Sequence, residues 1–257
     1  MSSTIAVIDG TFEALLTLIH MYYYEKFRPA DVLDGSLPSF QQTLDADYLH
    51  IEADHALAET VYKAMRQKLS GDTLHRCVNA TLNYEDDKFF DIFKYIILAF
   101  KEPNGVDDRE QLDFIRRTRK RAAAVGKEAH KLTGFARFRE TSDGILYCDI
   151  SPKHNTLAMV CDHFTDRLGS EKWIIHDIGR GLAGVYDGDE CVITAAPKGA
   201  VAVIEENPNE EEWQELWTAF YKTLAIQERR NQKLRTQMSP KYFWKHMTEH
   251  QRRKHWE

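Results

Sequence analysis

No Cys-x-x-Cys pair occurs anywhere in the chain: its four cysteines, Cys77, Cys148, Cys161 and Cys191, are scattered. That spacing excludes a zinc ribbon or a thioredoxin-type motif and predicts reduced, mostly buried thiols. Long apolar runs are missing too. The longest, Tyr95 to Phe100, falls far short of the roughly 20 residues that cross a bilayer. The opening MSSTIAVIDG has no basic residue ahead of its short apolar run, and Asp9 follows that run directly. No secretory signal or membrane partner is therefore predicted, and a cytoplasmic location is expected. Proline (7) and glycine (13) are sparse in 257 residues, and no internal repeat or low-complexity tract is present.

What is abundant is charge, and it is segregated. Residues 116–139 hold nine Lys/Arg against Glu128 alone, and residues 227–257 hold nine against three acids. These windows carry +8 and +6, which leaves −20 on the remainder of a chain whose net charge is −6. Cations gathered this way on an otherwise acidic body predict a positive face for a polyanion. Solvated helix faces are the plainer alternative.

Hydrophobic periodicity supplies the elements. Thr4 to Asp9 predicts a short buried strand, and Asp9-Gly10-Thr11 caps an apolar helix over Phe12 to Tyr24. Residues 25–46 read as a loop and Asp47 to Ile51 as a strand. Asp54 caps a helix that runs to Leu69. Two further helices, Thr73 to Asn83 and Lys88 to Phe100, follow the Ser70-Gly71-Asp72 break. Pro103-Asn104-Gly105 suggests a boundary, with a mostly helical lobe over 1–104, an α+β lobe over 105–226 and a basic, aromatic tail over 227–257. From Asp108 a long helix carries Leu112, Ile115, Ala122, Val125, Ala129 and Leu132 on one side and the arginine cluster on the other. It has too few acids of its own for i,i+4 lacing, so its cations must face solvent, acids elsewhere in the protein, or an anionic ligand.

A hairpin comes next. With a two-residue Asp143-Gly144 turn, core and solvent residues would be mixed on both faces. A three-residue Ser142-Asp143-Gly144 loop, with Gly144 left-handed, instead pairs Phe138 with Cys148, Ala136 with Ile150, Arg139 with Tyr147 and Arg137 with Asp149. That register predicts one apolar face and one outward face of Phe135, Arg137, Arg139 and Tyr147, suited to phosphate contact and base stacking. Arg137 and Arg139 are accordingly expected to touch phosphate and to add little to folding stability.

Residues 151–155 read as a loop that enters a helix, and Trp173 to Ile178, Leu182 to Asp187 and Cys191 to Ala196 as strands. A helix around Trp213 to Leu224 precedes the tail. The fold class expected is α+β, with helices packed on small antiparallel strand units and a basic C-terminal extension.

Three motifs have competing readings. Gly179-Arg180-Gly181-Leu182-Ala183-Gly184 matches G-x-G-x-x-G, but strand and not helix follows it, so a hairpin connection presenting Arg180 outward is the better account of those glycines than a dinucleotide site. His154, His163, His176 and Asp177 could serve as acid and base in phosphodiester chemistry, or Asp177 and His154 could tie loops together while His163 and Arg167, four apart on one helix, point at solvent or phosphate. Their spacing is no metal-ligand signature, and neither a metal nor a cofactor is expected. Tail aromatics interleaved with cations could stack bases or dock the tail on the body.

The segments HKLTGFARFRETSDGILYCDISPKHN, HFTDR with WIIHDIGRG, and MSPKYFWKHMTEHQ together resemble the bacterial "probable DNA metabolism protein" family. The last is similar to that family's M-P-x-x-Y-W-K-x-L-x-E ending, with Phe243 inserted and Met247 in place of Leu. Members are often encoded beside a radical SAM protein and are sometimes joined to a uracil-DNA-glycosylase-like domain. The resemblance implies DNA repair or modification as context, with such partners acting in trans. Position by position it points to His130, Gly134, Phe135, Arg137, Phe138, Pro152, His154 and Asn155. It continues through His163, Phe164, Arg167, His176, Asp177 and Arg180 to Tyr242, Trp244 and Lys245.

These readings converge on a nucleic-acid-binding accessory module for single- or double-stranded DNA. The expected contacts are His130, Lys131, Phe135, Arg137, Arg139, Tyr147, Arg167, Arg180, Lys241, Tyr242, Trp244 and Lys245. The alternatives are a DNA-processing nuclease or lyase that uses His154, His163, His176 and Asp177, or a protein-interaction adaptor.

Overall fold

A computed structural model describes residues 4–38, 40–42, 46–196, 207–224 and 236–251. The chain divides into two units, Met1–Gly126 and Lys127–Glu257. The division falls inside helix α5 (Asp113–Phe135). The Pro103-Asn104-Gly105 turn does not separate two cores, because Val106, Ile115 and Ala122 beyond it pack into the first one.

The first unit is built on β1 (Thr4–Ile8), α1 (Phe12–Tyr24), β2 (Asp31–Asp34), β3 (Asp47–Ile51), α2 (His55–Lys68), α3 (Gly71–Thr81) and α4 (Lys88–Lys101). Its sheet has the order β2-β1-β3, with both pairings parallel. Ala6, Val7 and Ile8 of the central strand are all buried, which is why that strand reads as an unbroken apolar run. Helix starts follow their capping residues: Thr11, Asp54 and Ser70 accept from Ala14 N, Leu57 N and Thr73 N at 3.0–3.1 Å. The face of α4 carrying Phe89, Ile92, Phe93 and Ile96 lies in the core.

Opposite that face, α5 spends its cations. Arg121, itself buried, bonds Glu85, Asp87 and Asp91 at 2.6–2.7 Å, and Arg117 makes two 2.6 Å bonds to Asp91. Arg116 pairs with Asp113 and Arg119 with Glu110. Burial pushes the Asp91 carboxyl up, and the two guanidinium groups more than reverse this and hold it below its ordinary value. Of the three destinations open to this arginine cluster, four arginines take acids of their own unit.

The second unit opens with the end of α5 and continues through β4 (Arg139–Glu140), β5 (Leu146–Ile150), α6 (Leu157–Arg167), β6 (Trp173–Asp177), β7 (Leu182–Tyr186), β8 (Cys191–Ala195) and α7 (Glu210–Leu224). It closes with a 3-10 segment (Lys241–His246) and the short helix α8 (Thr248–Gln251). The five strands lie in sequence order. The β4–β5 pairing sets Arg139 opposite Tyr147, and Gly144 has φ +75°, as the three-residue loop requires. Only two residues of the first arm are strand, because α5 runs on to Phe135 and takes its beginning.

The α+β class holds, and its strand units differ from expectation in one respect. The first sheet is parallel, and so is the β5–β6 pair, which α6 joins as a crossover. Among the described residues antiparallel pairing is confined to β4–β5, β6–β7 and β7–β8. β2, inside the expected 25–46 loop, is a four-residue DVLD strand that lacks apolar alternation.

One face of the second sheet packs Cys148, Ile150, Trp173 and Ile175 with Leu157, Val160, Cys161 and Phe164 of α6. Gly184 makes that approach possible, since a Cβ there would overlap Cys161 Sγ. Gly184→Ala should therefore destabilise the unit by about 2 kcal/mol through overpacking, and adding Cys161→Ala should recover much of the loss. Urea denaturation of the two single variants and the double variant measures this coupling, and additive losses would refute it.

Candidate nucleic-acid interface

Because side chains alternate along a strand, the sheet face opposite α6 carries Tyr147, Asp149 and His176 beside an apolar row of Ile174, Val185 and Val192. Tyr147 and Asp149 lie two apart on β5, and Asp149 is the register partner of His176 on β6. Tyr147 donates to Asp149 Oδ1 at 2.6 Å, and its oxygen lies 2.9 Å from His176 Nδ1. His176 Nε2 meets the Ala196 carbonyl at 3.2 Å, so that nitrogen carries the hydrogen. Arg139 reaches Asp149 Oδ2 at 3.4 Å and lies over the Tyr147 ring. Burial, with the Asp149 bond second, raises the Tyr147 phenol far above its ordinary value, which keeps it a donor.

The expectation of an outward stacking face is overturned here, because Tyr147 is 1% exposed. Phe135 is half-buried against Phe243, with ring centroids 5.3 Å apart. Arg137 turns back onto the protein. It makes bonds of 2.8 and 3.2 Å to the buried Glu249 of α8, others to the Gly134 and Ala136 carbonyls, and it lies over the Trp217 ring. Glu249 also accepts from Trp217 Nε1.

Arg180 does not point outward either. It donates to Asp177 and to the Pro152 and Lys153 carbonyls, while Asp177 caps the β6–β7 turn through the Gly179 and Arg180 amides. Gly181, at φ +64°, makes the turn that the glycine pattern predicts for a hairpin. The loop entering α6 is thus held by its carbonyls, and it is held by its amides as well. The buried Glu128 of α5 accepts from Lys153 N at 3.1 Å and His154 N at 2.7 Å, and also from Tyr242 Oη at 2.8 Å.

Glu128 therefore fixes three elements together, each of which carries cations. On those elements Lys127, His130, Lys153, Lys241 and Lys245 are exposed, Lys131 is half-buried, and Tyr242 is 43% exposed with its ring 4.1 Å from that of Phe243. Of the described tail aromatics, Tyr242 is the most exposed. Phe243 is in the second core, and Trp244, half-buried, donates to the Ser239 carbonyl and stacks on His250. Residues 225–235 and 252–257, with most of the tail's remaining cations, lie outside the described residues.

The four proposed acid–base residues occupy different places. His154 is buried in the Glu128 loop, His176 lies in the sheet-face network, Asp177 sits at the turn, and His163 is half-buried on α6 beside Phe164. Arg167 is exposed at the end of α6. Among the described residues no three His, Cys, Asp or Glu side chains gather as metal ligands.

The sequence reading left Glu128, Asp149, Ser151, His246 and Glu249 out of the site. His246 Nε2 lies 2.9 Å from Ser151 Oγ. Burial, and Lys245 after it, lower the His246 pKa against the opposing pull of Asp149. Glu128 was visible as the one acid in a basic window, and a lone acid among nine cations is a signal for a buried anchor. The partners of the other four come from remote positions, which no local pattern encodes.

A family profile described as a domain of unknown function (DUF4130) matches residues 86–249. The chain belongs to that family. The matched span of the DUF4130 family takes in α4, α5, the whole five-stranded sheet and the docked C-terminal segment. No curated protein matches the chain. Among the described residues no helix is long and apolar enough to cross a membrane.

The two hairpin arginines should now separate. Arg137→Ala leaves the Glu249 carboxylate buried without its cation and should cost about 3 kcal/mol in urea denaturation, against about 0.5 for the more exposed Arg139→Ala. Burial raises the Glu249 pKa, and Arg137 more than offsets that, so the folded value lies below the ordinary one. The stability this pair adds is therefore full above the unfolded glutamate pKa and is lost as pH falls through the lower folded value. A pH series of melts should show that acid-limb loss in the parent and a shallower one in Glu249→Gln. Equal limbs would exclude the linkage.

Proposed function

We propose that this chain is a DNA-binding accessory protein in DNA repair or modification, which takes the phosphate backbone on the cationic surface around Glu128. The observation that supports it most is the arrangement of that one carboxylate, which holds the Lys153 and His154 amides and the Tyr242 hydroxyl at once. It brings lysines from α5, the β5–α6 loop and the C-terminal segment to one place, beside an exposed aromatic ring. Lysines alone would bind any polyanion, and the ring adds the stacking surface that single-stranded nucleic acid uses. DNA as the target, and a glycosylase-like or radical SAM partner in trans, rest on the resemblance in three segments of the sequence.

This surface replaces the α5 arginines and the hairpin face as the proposed contact. Four of those arginines are paired within the first unit, and Arg137 is committed to Glu249. A DNA-processing enzyme that uses His154, His163, His176 and Asp177 has less support, since His176 and Asp177 spend their polar atoms on the protein itself.

Fluorescence anisotropy with single- and double-stranded oligonucleotides across a salt series tests the proposal. Replacing Lys127, Lys131 and Lys241 together by Ala should weaken binding and flatten the log–log salt slope by about two to three, at roughly 0.9 per lost phosphate contact on duplex and 0.7 on single strands. The melting temperature should stay close to the parent's. Absence of binding at low salt, or an unchanged slope in the triple variant, would remove this surface from the function.

A further inference from the structure

Two of the four free thiols stand together. Cys161 belongs to α6 and is 2% exposed, while Cys191 opens β8 and is half-buried against the same core. They meet in the gap above Gly184 of β7, the strand that pairs with β8 under α6. A Cβ built on that glycine would lie 2.2 Å from Cys161 Sγ and 3.8 Å from Cys191 Sγ, so both sulfurs reach into the volume that a side chain there would fill.

The two thiols are also bonded to each other. Burial raises both, and a hydrogen bond between them adds to the rise at Cys161 and opposes it at Cys191, which is the sign of a Cys161 S–H donating to the Cys191 sulfur. The other two cysteines are placed differently. Cys148 turns its S–H to the Asp149 carbonyl at 3.7 Å, and Cys77 lies in the core of the first unit. Two sulfurs already in hydrogen-bond contact need only side-chain rotation to approach the roughly 2 Å of a disulfide.

We propose that Cys161 and Cys191 form a modification site for peroxide, at which oxidation closes a reversible disulfide between α6 and β8. Cys191, the more exposed of the two, takes the oxidant. Its sulfur attacks one oxygen of hydrogen peroxide and the O–O bond breaks. Cys191 becomes a sulfenic acid, and the departing hydroxide leaves with the thiol proton as water. The Cys161 sulfur then attacks the Cys191 sulfur, the S–O bond breaks, and that hydroxide leaves with the Cys161 proton as a second water. The pair loses two electrons in all, and the peroxide gains them. Burial leaves Cys191 with little thiolate, so the first step is slow. The second is intramolecular and outruns further oxidation. This inference is independent of the DNA-binding reading.

Mass spectrometry of the full chain tests the site. The reduced protein is treated with hydrogen peroxide, blocked with N-ethylmaleimide and digested without reductant. The expected product is an intrachain Cys161–Cys191 linked peptide, with Cys77 and Cys148 carrying the blocking group, and dithiothreitol should return all four thiols. The oxidised chain should melt several degrees above the reduced one, because the bond closes a native contact and restricts the unfolded chain. Cys161→Ser should let Cys191 pass on to sulfinic acid, since no thiol remains to displace its hydroxyl. The proposal is overturned if Cys191 of the parent ends as sulfinic acid while Cys161 is blocked, or if the linkage joins two chains or takes Cys148. It is equally overturned if the disulfide forms only in urea or lowers the melting temperature.

Discussion

A carboxylate taken out of water must be repaid in hydrogen bonds, and Glu128 is repaid by two backbone amides, 25 and 26 residues away, and a phenol 114 residues away. Its own ordering comes at little extra cost, since α5 already holds it. Once the carboxylate is in place, the β5–α6 loop and the C-terminal segment lose the freedom to sit elsewhere. Burial, and Glu128 after it, raise the Tyr242 phenol above its ordinary value, so the donor that completes the set stays protonated. The exposed lysines owe their proximity to this buried acid and would otherwise repel one another.

Charge segregation along a sequence and charge on a surface are different quantities. The +8 window over 116–139 is a sum along one helix and one strand, and it counts no acid from anywhere else. In three dimensions Asp91, Asp87, Glu85 and Glu110 return much of the difference. Lysines take less part in these bonds than arginines do, as the planar, weakly hydrated guanidinium suits buried multidentate pairing. What is left at the surface of the second unit is lysine-rich, which suits point contacts to phosphate better than base reading.

Local physics was legible and remote partnership was not. Caps at Thr11, Asp54 and Ser70 could be read because a cap bonds three residues ahead. The hairpin register could be read because only one loop length keeps Phe138 and Cys148 on a common face, and Gly144 supplies the backbone that loop needs. Strand direction in the first sheet could not, since parallel pairing depends on crossovers whose path no alternation records. The destinations of Arg137, Tyr147 and Arg180 escaped for the same reason: an arginine beside an aromatic has the same pattern whether its carboxylate is a phosphate's substitute 112 residues away or a ligand is meant to fill the place.

One face of the five-stranded sheet is covered by α6, and on the other the side chains of Arg139, Tyr147, Asp149 and His176 bond among themselves, while β8 stays exposed. A network whose members satisfy one another is stiff, and it has little capacity left for a substrate. The C-terminal ends of the parallel β5–β6 pair form the edge where the chain turns into α6 and into the β6–β7 connection. That is where open α/β sheets place their ligands, because helix N-termini and loop amides collect there. In this chain that edge is held by Glu128 from one side and by Arg180 with Asp177 from the other, so the loops that meet there are ordered by bonds from buried carboxylates.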